Sequence, residues 1–186
     1  NENNINRRYG SFLHIEAIDG DWADNHFPND AGGNIYSKGR PDVKWDIRSN
    51  ETLGPDPERY RADGWSKNSN EANDDWSDLH RFMRVINNNS DDDYLKTVEQ
   101  VVDVDQWARW FAFMTIVLSR ETNLSNGTDD DYKFYSGLAD SRFKIIPHDF
   151  DTIFGLGDTD ADPDDSIFPA ITNFAGQRMP QLENFF

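Results

Sequence analysis

The amino-acid sequence predicts an α+β fold in a single domain of 186 residues, with strands first, helices in the middle and a β-hairpin near the end. Three patterns support this class. Apolar and polar residues alternate over 9–19, as they do in a half-buried strand. An apolar stripe at helical spacing covers 104–118. Two short strand-like runs, 132–136 and 142–146, flank a turn that contains a glycine.

The first part of the chain predicts two strands separated by a short helix over 21–27. The first strand, 9–19, carries Glu16 on a half-apolar face, and a buried carboxylate needs a partner. The second strand is Asn34–Ser37, and Lys38 follows it directly. Lys38 is therefore either the cation that pairs with Glu16 or an exposed lysine at a strand end.

The middle of the chain predicts a long surface excursion followed by helices. Residues 41–64 contain three prolines and no sustained period, so we expect at most one short helix there, near 57–61. Asp103 and Gln106 form the pattern of a capping box before the longest helix. The helices predicted after the excursion cover 75–86, a brief stretch from a Ser90 cap to Val98, and 104–118.

Composition and charge exclude several classes of function. The chain has 35 acidic and 18 basic residues, a formal charge of −17, which repels phosphate backbones and argues against a nucleic-acid partner. Cysteine is absent, so thiolate metal sites and cysteine nucleophiles are excluded. An apolar run of about 20 residues, which membrane insertion requires, is absent as well. Because the sequence begins abruptly in Asn-rich residues, we expect a fragment truncated at one or both ends.

The predicted hairpin places carboxylates at its open end. Asp131 precedes the first strand, and Asp149 and Asp151 follow the second. A hairpin brings its two outer ends together, so these residues are predicted neighbours. Two carboxylates about 4 Å apart repel by roughly 4 kcal/mol at an effective dielectric near 20, and a divalent cation between them reverses that penalty. Oxygen ligands of this kind suit Mg²⁺ or Mn²⁺, although carboxylates at hairpin ends are also common without a metal.

The order of a helix, an acidic loop, a hairpin and a second aspartate is also the order of the catalytic segments in protein kinases. Six segments carry a closer likeness: Tyr9–Asp19, Gly33–Tyr36, Asn73–Leu79, Val102–Trp107, Asn126–Tyr132 and Ile146–Gly155. Together they resemble the CotH-type kinase family, which takes its name from bacterial spore-coat kinases, from about Tyr9 to Phe168. The resemblance implies an atypical protein-kinase-like fold, with N-terminal strands, a helical lobe and a catalytic-loop hairpin.

The same resemblance implies a function and a set of site residues. It implies an extracytoplasmic bacterial kinase that uses ATP and Mg²⁺ or Mn²⁺ to phosphorylate Ser or Thr of exported or surface proteins. Asp149 and Asp151 fall on the metal-binding pair, with Asp149 in the role of the kinase magnesium aspartate. Asp131 falls where the family has Asn and is a further candidate ligand. Glu121 is the acid nearest to the position of the catalytic base.

Two lysines and one glutamate resemble the residues that meet the nucleotide. Lys38 and Lys67 resemble the lysines that contact the phosphates, and Glu16 is a candidate to orient one of them. The alternative for both lysines is a solvated surface charge. The departures at Glu121 and Asp131 support a second hypothesis, a pseudokinase or a divalent-cation-binding extracellular module that serves assembly or adhesion.

A second acidic cluster follows the hairpin. Asp158, Asp160 and Asp162 are spaced like ligands of a calcium loop, but Pro163 and Pro169 stand where an EF-hand requires Gly and Glu. The cluster is therefore either a looser Ca²⁺ site or a solvated loop beside the nucleotide. Self-association is left open by the sequence.

Overall fold

The computed structural model describes residues 14–38, 54–87, 93–118, 132–148, 150 and 153–154. Within these ranges the chain has five helices and one four-stranded antiparallel sheet, which agrees with the predicted mixture of α and β structure. The elements in chain order are α1 Gly20–His26, β1 Asn34–Lys38, α2 Pro57–Ala62, β2 Trp65–Lys67, α3 Ser77–Asn87, α4 Tyr94–Val98, α5 Val104–Ile116, β3 Tyr132–Ser136 and β4 Lys144–Pro147.

The sheet joins distant parts of the chain in the order β2-β1-β3-β4. β1 lies between β2 and β3, with Tyr36 opposite both Lys67 and Phe134. β3 and β4 form the predicted hairpin, in which Tyr132 lies opposite Pro147. The N-terminal strand and the C-terminal hairpin are therefore parts of one sheet.

Each face of the sheet covers a hydrophobic core, because successive side chains of a strand point to opposite faces. On one face, Phe134 contacts Phe82 of α3 and Trp107 of α5, with ring centroids 5.3 and 5.4 Å apart. On the other face, Tyr135 stacks on Phe27, just after α1, with centroids 4.4 Å apart. The larger core thus lies between the sheet and helices that include α3 and α5, and the smaller core lies under α1.

Several predicted elements are confirmed. The helix expected over 21–27 is α1, the short helix near 57–61 is α2, and the later helices and the hairpin agree within a few residues at each end. Of the predicted surface excursion, residues 54–64 lie inside the described part of the chain, and the Ser90 cap lies outside it.

The strand predicted over 9–19 is wrong for its described part, because 14–18 has no regular secondary structure. Asp19 ends that segment by capping α1, where its carboxylate accepts hydrogen bonds from the backbone N–H groups of Asp21 and Trp22 at 3.0 and 3.2 Å. Ile15 is 62 % exposed, so the alternating pattern does not reflect a buried face. Strand β2 was not predicted, since three residues carry too little periodicity to be recognised.

Asp30, in the loop between α1 and β1, organises the turn of the hairpin. Its Oδ1 accepts hydrogen bonds from the backbone N–H groups of Leu138 and Ala139 at 2.8 and 2.7 Å, and its Oδ2 accepts one from Asp140 at 3.0 Å. Burial opposes ionisation of this carboxyl, but the three donors outweigh it and lower the pKa of Asp30. A Cβ at Gly137 would lie 1.9 Å from Oδ2, so this contact also requires glycine in the turn.

We predict that Asp30→Ala lowers the free energy of unfolding by about 2–3 kcal/mol, because three turn N–H groups lose a charged acceptor. Urea unfolding monitored by tryptophan fluorescence measures this change. Asp24→Ala, at an exposed position of α1, is the matched control and should change stability by no more than about 0.5 kcal/mol.

The same contact predicts a pH dependence. The pKa of Asp30 is lower in the folded state than its ordinary value of 3.8, so its stabilisation is present above that pH and is lost as the pH falls below it. The stability difference between the wild-type chain and Asp30→Asn should therefore shrink in acid. A difference that stays constant between pH 6 and about pH 3 would contradict the assigned role of the carboxylate.

Candidate active site

The candidate site lies at one end of the sheet, where a terminal residue of each of the four strands belongs to the same row. Lys38 of β1 is paired with Trp65 of β2, and Tyr132 of β3 is paired with Pro147 of β4. Since Ser37 lies opposite Lys133, the next position of β1, Lys38, is beside Tyr132. We call the row formed by Trp65, Lys38, Tyr132 and Pro147 the open end of the sheet.

The predicted metal ligands attach to this end through the chain. Asp131 directly precedes Tyr132, and Asp149 is two residues after Pro147. The confirmed register supports the premise of the prediction, that the two ends of the hairpin meet. Within the described ranges, His, Cys, Asp and Glu side chains form no group of three that could hold a metal ion. The predicted residues Glu121, Asp131, Asp149, Asp151, Asp158, Asp160 and Asp162 lie outside those ranges, so the metal sites and the base stay predictions.

The start of α5 fixes the position of β4. The side-chain amide of Gln106 donates from Nε2 to the carbonyl of Ile145 at 2.8 Å and accepts at Oε1 from its N–H at 3.0 Å. The carboxylate of Asp103 caps the helix by accepting a hydrogen bond from the Gln106 N–H at 3.2 Å. The predicted capping box is therefore half formed, because the glutamine side chain bonds the backbone of Ile145 and the N–H of Asp103 donates to the carbonyl of Phe143 instead.

The residues after β4 return to the other end of α5. The backbone N–H of Phe154 donates to the carbonyl of Val117 at 2.7 Å. The rings of Phe150 and Phe113 meet edge to face, with centroids 6.3 Å apart. Phe150 and Phe154, which lie on either side of Asp151 in the sequence, thus contact α5 or its C-cap. Helix α5 therefore contacts both β4, through Gln106, and residues that follow β4.

Lys38 is a buried cation at the open end, with 4 % of its surface exposed. Its Nζ donates to Oδ2 of Asp63 at 2.8 Å and lies 5.0 Å from the centre of the Trp65 ring. Burial lowers the pKa of this lysine, and the hydrogen bond and charge of Asp63 act in the opposite direction. The interpretation of Lys38 as an exposed strand-end lysine is therefore wrong.

The predicted pairing of Lys38 with Glu16 is also wrong. Glu16 is exposed, and its Oε2 lies 3.0 Å from Nε2 of His26 on α1. The prediction placed Glu16 on the half-apolar face of a strand, and the described residues 14–18 do not form one. Asp63 takes the place of Glu16 because it lies at the C-cap of α2, two residues before the strand that pairs with β1.

Lys67 has a different environment from Lys38. It is 9 % exposed, and its Nζ donates to the backbone carbonyls of Asn73 and Asp75, both at 2.8 Å. It lies opposite Tyr36, two residues inward from Trp65 along β2. These contacts fasten the loop before α3 to the sheet. Of the two predicted phosphate-contacting lysines, Lys38 is the one at the open end.

Sequence reasoning missed Asp63, which it placed in the surface excursion. No sequence signal marks it, because Trp65 and Lys67 follow directly but a three-residue strand with a charged residue on its buried side has no recognisable period. Both side chains are buried, whereas Ser66 between them is exposed.

The family of CotH kinase proteins matches residues 3–184, nearly the whole chain. The chain belongs to the CotH kinase family. This match confirms the resemblance predicted from six sequence segments. Membership in the CotH family supports a kinase-like fold and a kinase-like function. A search of curated proteins gives no match. None of the helices in the described ranges is long and apolar enough to cross a membrane.

For this CotH family member we predict that Gln106→Ala lowers the free energy of unfolding by about 1–3 kcal/mol, because both backbone groups of Ile145 lose their partner. Gln100→Ala, at an exposed position in the turn after α4, is the control. Chemical denaturation measures both variants. Equal effects of the two substitutions would show that the amide of Gln106 does not hold β4.

Proposed function

We propose that the chain is a metal-dependent protein kinase that binds ATP with Mg²⁺ or Mn²⁺ at the open end of the sheet. In this proposal it transfers the γ-phosphoryl group to Ser or Thr of exported or surface proteins in a bacterium. Membership in the CotH family supports the kinase class. The observation that carries the location is the hairpin register, in which Tyr132 lies opposite Pro147 with Lys38 beside Tyr132.

The predicted ligands are close to that row in sequence. Consecutive Cα atoms are about 3.8 Å apart, so Asp131 is one such step from Tyr132 and Asp149 is two from Pro147. Carboxylates attached at these positions fit an oxygen-only site for a hard divalent cation. Asp149 and Asp151 would hold the metal, and Asp131 would add a third carboxylate.

The chemistry of phosphoryl transfer needs positioning and charge stabilisation more than covalent help from the protein. A bound divalent metal supplies positive charge to the phosphate oxygens. Lys38 supplies a second positive charge from the sheet, and Glu121 is the candidate base that accepts the proton of the substrate hydroxyl. In the proposal, Lys67 keeps the strand beside Lys38 in place.

A second function is favoured by two departures from the family pattern. Asp131 adds a carboxylate where the family has Asn, and Glu121 belongs to a segment whose sequence departs from the family pattern. A chain that binds nucleotide and metal without transferring phosphate would be a pseudokinase, or a divalent-cation-binding module that serves assembly or adhesion. Ca²⁺ at Asp158, Asp160 and Asp162 belongs to the same alternative.

We predict that Asp149→Asn weakens the binding of MgATP at least about tenfold, because a metal ligand loses its charge. Isothermal titration calorimetry with MgATP, repeated with ATP and EDTA, measures the metal dependence. Asp105→Asn, at an exposed position of α5, is the control and should bind as the wild-type chain does. Unchanged binding by Asp149→Asn would refute the assigned metal role.

Transfer is measured separately from binding, with radiolabelled ATP and a library of Ser- and Thr-containing peptides. A transfer activity that depends on Asp149 and Glu121 supports the kinase. MgATP binding without transfer supports the pseudokinase.

The two buried lysines give a further prediction, because they have similar burial and different partners. Lys38→Met should weaken MgATP binding about tenfold or more through loss of a phosphate contact. Lys67→Met should lower stability by about 1–3 kcal/mol, since two backbone carbonyls lose their donor. The folded Lys67→Met chain should keep near-wild-type affinity for MgATP. The opposite assignment of the two effects would exclude Lys38 as the phosphate-contacting lysine.

A further inference from the structure

We infer that Asp63 is the positioning residue for Lys38, whose ammonium group it holds at the open end of the sheet so that the lysine can bind a nucleotide phosphate. The inference rests on the proposed function. In this inference the partner of the phosphate-contacting lysine is Asp63, at the end of α2, and not Glu16.

The backbone around Asp63 fixes the direction of its carboxylate. Asp63 is the C-cap of α2, and its N–H donates to the carbonyls of Arg59 and Tyr60 at 3.0 and 3.1 Å. Gly64 follows with φ of +89°, a conformation that favours glycine, and turns the chain into β2. Trp65 is then paired with Lys38 in the sheet. The carboxylate and the strand that carries the lysine are therefore set by one short, well-defined turn.

Lys38 is enclosed by two groups of different chemistry. The carboxylate of Asp63 accepts a hydrogen bond from Nζ at 2.8 Å, and the ring of Trp65 lies 5.0 Å from Nζ. An ammonium group has three N–H donors. Among the described residues, Asp63 is the acceptor for Nζ of Lys38, and in our proposal the other N–H groups of that lysine donate to phosphate oxygens. Lys67, by contrast, already donates to two backbone carbonyls.

Asp63 also favours the charged form of Lys38. Burial lowers the pKa of Lys38, and the hydrogen bond and charge of Asp63 are the contributions that raise it. The neighbours of Lys38 within the sheet are Trp65, which does not ionise, and Tyr132. Without Asp63, the lysine would lose its proton at a lower pH and would no longer attract an anion above that pH. A purely structural carboxylate would not produce this effect on ligand binding.

The test is a titration of MgATP into the full chain at pH 7 and pH 9. Asp63→Asn should bind about tenfold more weakly than the wild-type chain at pH 7, and its affinity should fall more between pH 7 and pH 9 than that of the wild-type chain, because the pKa of Lys38 is lower without Asp63. Asp63→Glu, which restores the charge, should recover most of the affinity and the wild-type pH profile.

Glu58→Gln is the matched control. Glu58 is on α2 as well, it is exposed, and its carboxylate pairs with Arg61 at 2.6 Å and not with Lys38. This variant loses the same charge from the same helix and should keep the wild-type affinity and pH profile. A loss equal to that of Asp63→Asn would show a general effect of charge on α2 and would overturn the inference.

Thermal unfolding shows whether each variant is folded. Should Asp63→Asn alone not fold, the double variant Lys38→Met/Asp63→Asn leaves no unpaired buried charge and provides the test. In the Lys38→Met background the second substitution should leave MgATP affinity unchanged. A further loss would mean that Asp63 acts independently of Lys38 and would overturn the inference.

The results distinguish this inference from the proposed function. If the wild-type chain does not bind MgATP, both are overturned. If the wild-type chain binds MgATP and Asp63→Asn has the same affinity and the same pH profile, the proposed function stands and the positioning role of Asp63 is refuted.

Discussion

The antiparallel pairing of β1 with β3 is the contact on which the rest of the structure depends. Ile35 and Tyr135 lie opposite each other in this pair, and both are fully buried. The two strands approach closely at one end, where a Cβ at Gly33 would lie 2.2 Å from the carbonyl oxygen of Ser136. Because the pairing sets the register, it also sets which residues reach the open end. A shift of one residue would turn every side chain of β1 to the opposite face.

Polar contacts from outside the hairpin hold its turn and the outer edge of β4. Asp30 binds the N–H groups of the turn, and Gln106 bonds the backbone of Ile145 at that edge. Both are long-range contacts, and both satisfy backbone groups that would otherwise be costly to leave without a partner. The hairpin is thereby fixed relative to α5, and the chain that leaves it at Pro147 starts from a defined position. The predicted ligands Asp149 and Asp151 follow that position in the sequence.

The fold was more predictable from sequence than the site because elements depend on local pattern and sites depend on long-range contacts. The period of 104–118 and the hairpin around Gly137 identified helix and strands that the structure confirms. The alternation through Glu16 was misleading, since Asp19 ends that segment as a helix cap. The partner of Lys38 was not predictable, because Asp63 becomes its neighbour through the pairing of a three-residue strand. The predicted acidic ligands were identified by motif, and the described ranges do not include them.

The charge of the chain explains why a buried lysine at this position matters. A formal charge of −17 attracts divalent cations and repels a free polyphosphate, so the protein as a whole does not favour a nucleotide. A binding site for MgATP then requires positive charge built locally, in a low-dielectric place where it acts strongly at short range. In the proposed function Lys38 supplies that charge, since it is buried beside Trp65 and its hydrogen bond to Asp63 favours the protonated form. Burial reduces the screening by water that would weaken the interaction of a solvated lysine with an anion.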